Sequence, residues 1–386
     1  MVFADYGARW KLMRKLASVH LLGARALADW ACVRRDEAKR LVRGMAEAAA
    51  AGREVVIPEV LVCALANIVG QITVSKRDMI VSLLTGAGLF NISDFVPALA
   101  RLDLQGVQAK LRRIHNKFDE LITKLLAEHA ATAGDRAGRP DFVDRLRAAI
   151  GVDDEDGETI TEVNIKGLIF DMFTAGTDTS SIIVEWAMTE MLRNPSVMAR
   201  AQEEMDRVVG RGRLLQESDI PNLPYLQAVC KEAMRLHPST PLSLPHFSFD
   251  ECDVDIPGAD GYRVPANTRL LINIYAIGRD PSAWEEPERF MPERFMPGGG
   301  AERVDPLGNY FELIPFGAGR RICAGKLAGM VFVQYFLGTL VHAFEWRVPG
   351  GGEEKIDMSE TFGLALPKAV PLRALVTPRL EPAAYA

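Results

Sequence analysis

One segment gathers residue types able to do chemistry: Pro315-Phe-Gly-Ala-Gly-Arg-Arg-Ile-Cys-Ala-Gly325, a glycine-rich loop that brings a single cysteine to the start of a helical pattern. Unpaired amides at a helix N terminus accept negative charge and lower a thiol's pKa, and Arg320 and Arg321 add cationic field, so the spacing predicts a thiolate at Cys323. The glycines let backbone run close to something flat or bulky. An arbitrary cysteine is more often a small buried apolar residue, and Cys32, Cys63, Cys230 and Cys252 read that way. Five scattered cysteines with no C-x-x-C pair exclude a disulfide framework or a zinc ribbon and point to a reducing compartment.

A second chemical segment is Ala175-Gly-Thr-Asp-Thr-Ser180, inside a long helical pattern. Gly176 removes a side chain where a ligand would approach. The Thr179 hydroxyl can compete for the carbonyl of Ala175 four residues back and open the helix into a groove. Glu232 and Arg235 lie one helical turn apart, which alone reads as a surface ion pair. Trp10 and Arg14 have the same spacing and read as an amphipathic helix, while His246 follows Leu244-Pro245.

Phe316, Gly319, Arg321, Cys323 and Gly325 together spell F-x-x-G-x-R-x-C-x-G, which resembles the haem-binding loop of the cytochrome P-450 family. The other marks follow in the family's order. Ala175 to Ser180 resembles its oxygen-activation motif, with Asp178 supplying protons from the solvent side and Thr179 steadying dioxygen during bond heterolysis. Glu232 and Arg235 resemble E-x-x-R, braced by an arginine of a P-E-R-F segment. Two copies of P-E-R-F are present, and the W-x-x-P-x-x-F-x-P-E-R-F frame beginning at Trp284 selects Arg294. Trp10 and Arg14 resemble the W-x-x-x-R that binds a haem propionate. His246 stands where many relatives place an arginine for the same purpose, and histidine loses its charge near neutral pH.

The resemblance implies Cys323 as the metal ligand of haem b and insertion of one atom of O2 into a C–H bond. No flavin or nicotinamide motif is present, so electrons from NADPH would arrive through a separate NADPH-cytochrome P-450 reductase. Lys11, Lys15, Arg320 and Lys326 could offer it a basic patch. Stretches such as 21–30, 173–181, 235–245 and 337–342 resemble the plant flavonoid B-ring hydroxylases, and residues 362–366 resemble the 3',5' branch more than the 3' branch. A small flavonoid, a flavanone or dihydroflavonol, would then lie against Ala175, Gly176, Ser239, Thr240, Leu242, Phe362 and Ala365. A 3'-hydroxylase and a catalytically silent truncated product are the alternatives. The paired Asp178 and Thr179 argue against a haem-thiolate isomerase or dehydratase.

The elements that must hold these groups are mostly helices. Apolar spacing predicts helices over 61–72, 79–89, 107–131 and 142–150, then a long one capped by Thr161 and stopped at Asn194-Pro195. Short strands are expected at 262–264, 269–274 and 370–376, and a helix after Cys323. The fold class is therefore mainly α with a minor β component: a cytochrome P-450 fold, read as a single, incomplete catalytic domain over 1–386. With 386 residues, 48% hydrophobic and 25% charged, the chain can bury a sizeable core, and 45 basic against 51 acidic residues offer no basic stripe for nucleic acid. No apolar run approaches the roughly 20 residues of a spanning helix. Relatives begin with a membrane anchor, a hinge and the first sheet strands, none legible here. The expectation is a truncated member of a family working at the cytosolic face of the endoplasmic reticulum membrane.

Overall fold

The computed structural model describes residues 1–2, 4–74, 103–136, 138, 140–152, 155–255, 261–352, 355–361 and 363–385. Its centre is the long helix that carries the Ala175 motif. In chain order the preceding helices are α1 (Ala8–Ala17), α2 (Ala24–Asp29), α3 (Ala31–Ala50), α4 (Ile57–Val74), α5 (Val107–Ala131) and α6 (Phe142–Ala148), and α7 spans Glu162–Arg193. Asn164 Oδ1 accepts from the Thr161 amide at 3.0 Å, closing the N-terminal turn of α7. At 1.5 Å per residue α7 is about 48 Å long. Every residue from Ser180 to Leu192 is buried, the pattern of a helix enclosed on all sides rather than one lying on a surface.

After α7 come α8 (Pro195–Val208), α9 (Pro224–Leu236), the short α10 (Ile274–Ile277) and α11 (Lys326–Ala343). Helices α4, α9 and α11 all pack on α7. Helix α11 is long and apolar enough to cross a membrane by length and composition, which the sequence reading did not anticipate. However, 67% of that stretch is buried inside the protein, and packing accounts for its apolarity.

Strands are few among the described residues. β1 (Val55–Val56), β7 (Arg373–Pro378) and β6 (Phe344–Arg347) form an antiparallel sheet with β7 in the middle, Val55 opposite Ala374 and Phe344 opposite Pro378. Two further pairs are antiparallel, β2 (His246–Phe247) with β5 (Arg269–Leu270) and β3 (Cys252–Val254) with β4 (Tyr262–Val264).

Some expectations need correction. The strand expected to reach 274 stops at Leu270, because Asn273 accepts from the Ala276 amide at 3.0 Å and starts α10. Asn194-Pro195 ends α7 but at once begins α8, since proline fits the first helical turn. The helix expected over 79–89 lies outside the described residues.

Candidate active site

The cysteine loop turns where glycine alone is comfortable, with φ of 70° at Gly317 and 68° at Gly319. It closes on itself through the Cys323 amide, which donates to Phe316 O at 2.9 Å, and then enters α11. The loop is also tied to the other end of the chain. Arg14 Nη2 on α1 donates to Ile322 O at 2.6 Å, and Arg321 Nη1 donates to Ala4 O at 2.8 Å.

The Cys323 sulfur lies at the entry to α11, and the cations near it are not the ones the sequence suggested. Burial away from bulk water pushes its thiol above the ordinary range, and the Gly325 amide, Arg14 and Lys326 pull it back only in part. Arg320 and Arg321 are not the cations at the sulfur. They lie over aromatic rings instead, Arg320 5.2 Å from the Tyr6 centroid and Arg321 4.8 Å from that of Trp10. A thiol so placed ionises when a metal ion takes its charge.

Cys323 opens onto a cavity of about 1490 Å³, larger than the roughly 300–1,000 Å³ of a common small-molecule site. The donors expected to hold a macrocycle, Trp10, Arg14 and His246, line the same cavity as Cys323, and so do Phe316, Arg321 and Gly325. Gly325 lies next to the sulfur, where an added Cβ would make ordinary van der Waals contact with Cys323 Sγ at 3.8 Å. One soft donor, cations and an aromatic ring around one large apolar space fit a haem with its propionates. Gly319 belongs to the turn and not to the wall.

The same cavity is lined by Ala175, Gly176, Asp178 and Thr179 of α7. Thr179 Oγ1 donates to Ala175 O at 2.7 Å, the expected bond. Nevertheless α7 stays α-helical through this turn. The hydroxyl shares the carbonyl instead of displacing the backbone amide, so no break opens. Burial raises the Asp178 carboxyl above its ordinary value, opposed by a hydrogen bond from Thr177. Ser239, Thr240 and Ala365 also face the cavity; Leu242 does not line it, and Phe362 lies outside the described residues.

Glu232, Arg235 and Arg294 meet as a buried triad and not as a surface pair. Arg235 Nε donates to Glu232 Oε2 at 2.7 Å and Arg294 Nε to Oε1 at 3.0 Å, with all three side chains at most 4% exposed. The Arg235 fork also reaches Pro287 O at 2.7 Å and Arg289 O at 3.1 Å, and the Met291 amide donates to Glu232 at 2.8 Å. Arg289, from the other P-E-R-F copy, pairs with Glu286 in solvent.

Sequence reading missed two things here. Met1, Val2, Ala4, Asp5 and Tyr6 line the cavity, and the Met1 amino group pairs with Asp171 at 2.7 Å. The other is Trp186, whose Nε1 donates to Leu366 O at 3.1 Å beside Ala365, with the Lys368 ammonium 4.6 Å from its ring centroid. A signal for Trp186 was present, since it lies seven residues after Thr179 and therefore on the same helical face. Of the expected basic patch, Lys326 donates to Leu307 O and Lys15 pairs with Glu155.

The sequence pattern of the cytochrome P450 family matches residues 1–371. A flavonoid 3',5'-hydroxylase of Solanum melongena is 52% identical over 394 residues, covering 99% of this chain and 75% of that protein. Another flavonoid 3',5'-hydroxylase, from Petunia hybrida, is 53% identical, covering 100% and 77%. A flavonoid 3'-monooxygenase of Arabidopsis thaliana is 45% identical with the same coverage. Among solved structures, a zebrafish cytochrome P450 with abiraterone superposes with a TM-score of 0.76 at 28% identity, covering 98% of this chain and 84% of that one.

Proposed function

The chain belongs to the cytochrome P450 family, and from that premise we propose that it hydroxylates the B-ring of flavonoids at the 3' and 5' positions. As a member of the family it is a monooxygenase that works with haem b, dioxygen and NADPH-derived electrons passed on by a reductase. The observation that carries the reading is one apolar cavity lined both by Cys323, from the loop before α11, and by Asp178 and Thr179 of α7. The substrate class rests on 52–53% identity to flavonoid 3',5'-hydroxylases against 45% to a flavonoid 3'-monooxygenase.

Cys323 would ligate the iron, while Trp10, Arg14 and His246 would hold the propionates. When bound, haem supplies the cleavage of dioxygen and the insertion of one oxygen atom into a C–H bond. The protein's own part is to deliver protons, exclude water and aim the substrate. Thr179 Oγ1 donates its hydrogen bond to Ala175 O, which leaves the hydroxyl oxygen's lone pairs free to accept a hydrogen bond from whatever lies beside it. The raised Asp178 carboxyl can hold a proton closer to working pH than an exposed aspartate and release it toward the cavity. Apolar walls suit a flat aromatic ligand, and Ala365 leaves room where a larger residue would narrow the space. The family resemblance supports the cytosolic face of the endoplasmic reticulum membrane as the place of work.

The test is a reduced, carbon monoxide difference spectrum of the haem-loaded chain, then incubation with reductase, NADPH and naringenin or dihydrokaempferol. We expect a thiolate-type Soret band and trihydroxylated B-rings. Absence of that band would sink the enzyme reading, and product stopping at the 3' position would sink the 3',5' assignment.

A further inference from the structure

Ala365 lies in a turn, residues 363–367, whose Gly363, Leu364, Ala365 and Pro367 face the cavity. Two bonds close the base of this turn, Thr361 N to Pro367 O at 2.9 Å and Ala369 N to Ser359 O at 2.8 Å. Toward the rest of the protein the backbone at Leu366 is held from both sides. Its amide donates to Ser239 O at 3.0 Å, and its carbonyl accepts from the indole Nε1 of Trp186 at 3.1 Å.

The indole is itself held with unusual completeness. Trp186 is 1% exposed, and the His237 ring stacks on it with centroids 4.2 Å apart and planes 1° from parallel. His237 Nε2 is bonded to Glu190 Oε1 at 2.8 Å, which fixes that ring to α7 one turn beyond Trp186. The Lys368 ammonium lies 4.6 Å from the Trp186 ring centroid and donates to Asp357 O. Lys368 is only 5% exposed, and burial lowers its pKa against the pull of Glu185, Asp357 and Glu190. A core needing only apolar volume here would be filled by a leucine at lower desolvation cost. A rotationally locked indole offers something a leucine cannot, one N–H aimed at one carbonyl.

Position along α7 gives this anchor its reach. Thr179, Ile182, Ile183 and Trp186 follow the i, i+3, i+4, i+7 spacing of one helical face, and the first three line the cavity directly. The same face of α7 that presents Thr179 thus also holds the turn standing beside the substrate space.

We propose that Trp186 is a positioning residue for substrate specificity: its indole N–H fixes the Leu366 carbonyl and thereby how far the 363–367 turn reaches into the cavity. The proposal deepens the functional reading above and rests on the cavity being the substrate site. Trp186→Phe keeps a stacked ring and removes the donor, while Lys368→Met removes the ammonium at constant length.

The experiment measures three quantities on the haem-loaded chain and both variants. These are amide exchange in the peptide spanning 357–369, the Kd of naringenin from its spectral shift, and the ratio of dihydroxylated to trihydroxylated product. Loss of one buried hydrogen bond predicts roughly fivefold faster exchange in Trp186→Phe, with a Kd or product ratio changed severalfold and an unchanged thiolate Soret band per chain. Unchanged exchange would overturn the proposal. So would faster exchange with Kd and product ratio as in wild type, because the turn would then position nothing. If Trp186→Phe loses its Soret band through misfolding, the same comparison is made on Lys368→Met, expected to move all three readouts in the same direction. A wild-type chain that binds no flavanone would instead sink the functional reading, and exchange alone would then judge the anchor.

Discussion

Ala365 lines the cavity with a single methyl group, at a turn held by a backbone bond to Ser239 O on one side and by the Trp186 indole on the other. Threonine there adds a hydroxyl and bulk beside the substrate. Ala365→Thr is expected to shift product from trihydroxylated toward dihydroxylated B-rings, read as the product ratio from naringenin, and an unchanged ratio would count against contact at this residue. Asp178 allows a sharper separation of activity from stability. Its folded pKa is raised, so the charged form is disfavoured in the native state, and its effect on stability worsens as pH rises through the unfolded value. Asp178→Asn should therefore leave the melting temperature at pH 7 equal or higher while turnover falls roughly 10²-fold, the usual scale for losing a proton-transfer group. Stopped-flow turnover and calorimetry on one preparation would check both. The sequence exposed these groups because motif spacing is local. It misled on Arg320 and Arg321, because which cation reaches a sulfur depends on how a loop folds back, and here Arg14 comes from the far end of the chain.

Among the elements, α9 and the segment after α10 are joined through one carboxylate. Glu232 neutralises two guanidinium groups that have almost no access to water, so Glu232→Ala would leave both charges buried and unpaired at a cost of about 3–5 kcal/mol. Arg294→Ala should approach that cost, whereas Arg289→Ala, at a side chain 63% exposed, should cost about 0–1 kcal/mol. Urea unfolding of the three variants would rank them. Equal losses for Arg289 and Arg294 would show that the Trp284 frame had been misread. The frame was legible because it fixes several residues at once. The continuity of α7 was not, because the sequence shows that Thr179 can compete for a carbonyl but not that the backbone amide keeps its share. Likewise the strand after Arg269 looked longer than it is, since a short apolar run cannot reveal the Asn273 cap that ends it.

At the scale of the whole molecule, acid should be the sensitive direction. The hydrogen bond from Arg213 holds the Asp219 carboxyl below its usual range, helped by the Gln216 amide and opposed by burial. A depressed folded pKa stabilises above the unfolded value near ~3.9 and is lost as pH falls through the folded one. Melting temperature should drop as pH falls from about 5 to about 3, and Asp219→Asn should flatten that slope while lowering the value at pH 7. The helical class and the central long helix could be read from periodicity, whereas the pairing of β1 with β7 could not, because two residues near position 55 carry no mark of a partner near 374. That remoteness also bears on synthesis. The bond from Arg14 to Ile322 spans 308 residues, so at ribosomal speed α1 waits roughly 15–60 s for its partner to be made. Throughout that interval the nascent chain exposes one wall of an unfinished apolar chamber, and a chaperone able to shield α1 and α7 during elongation should raise the yield of active protein more than any aid given after release.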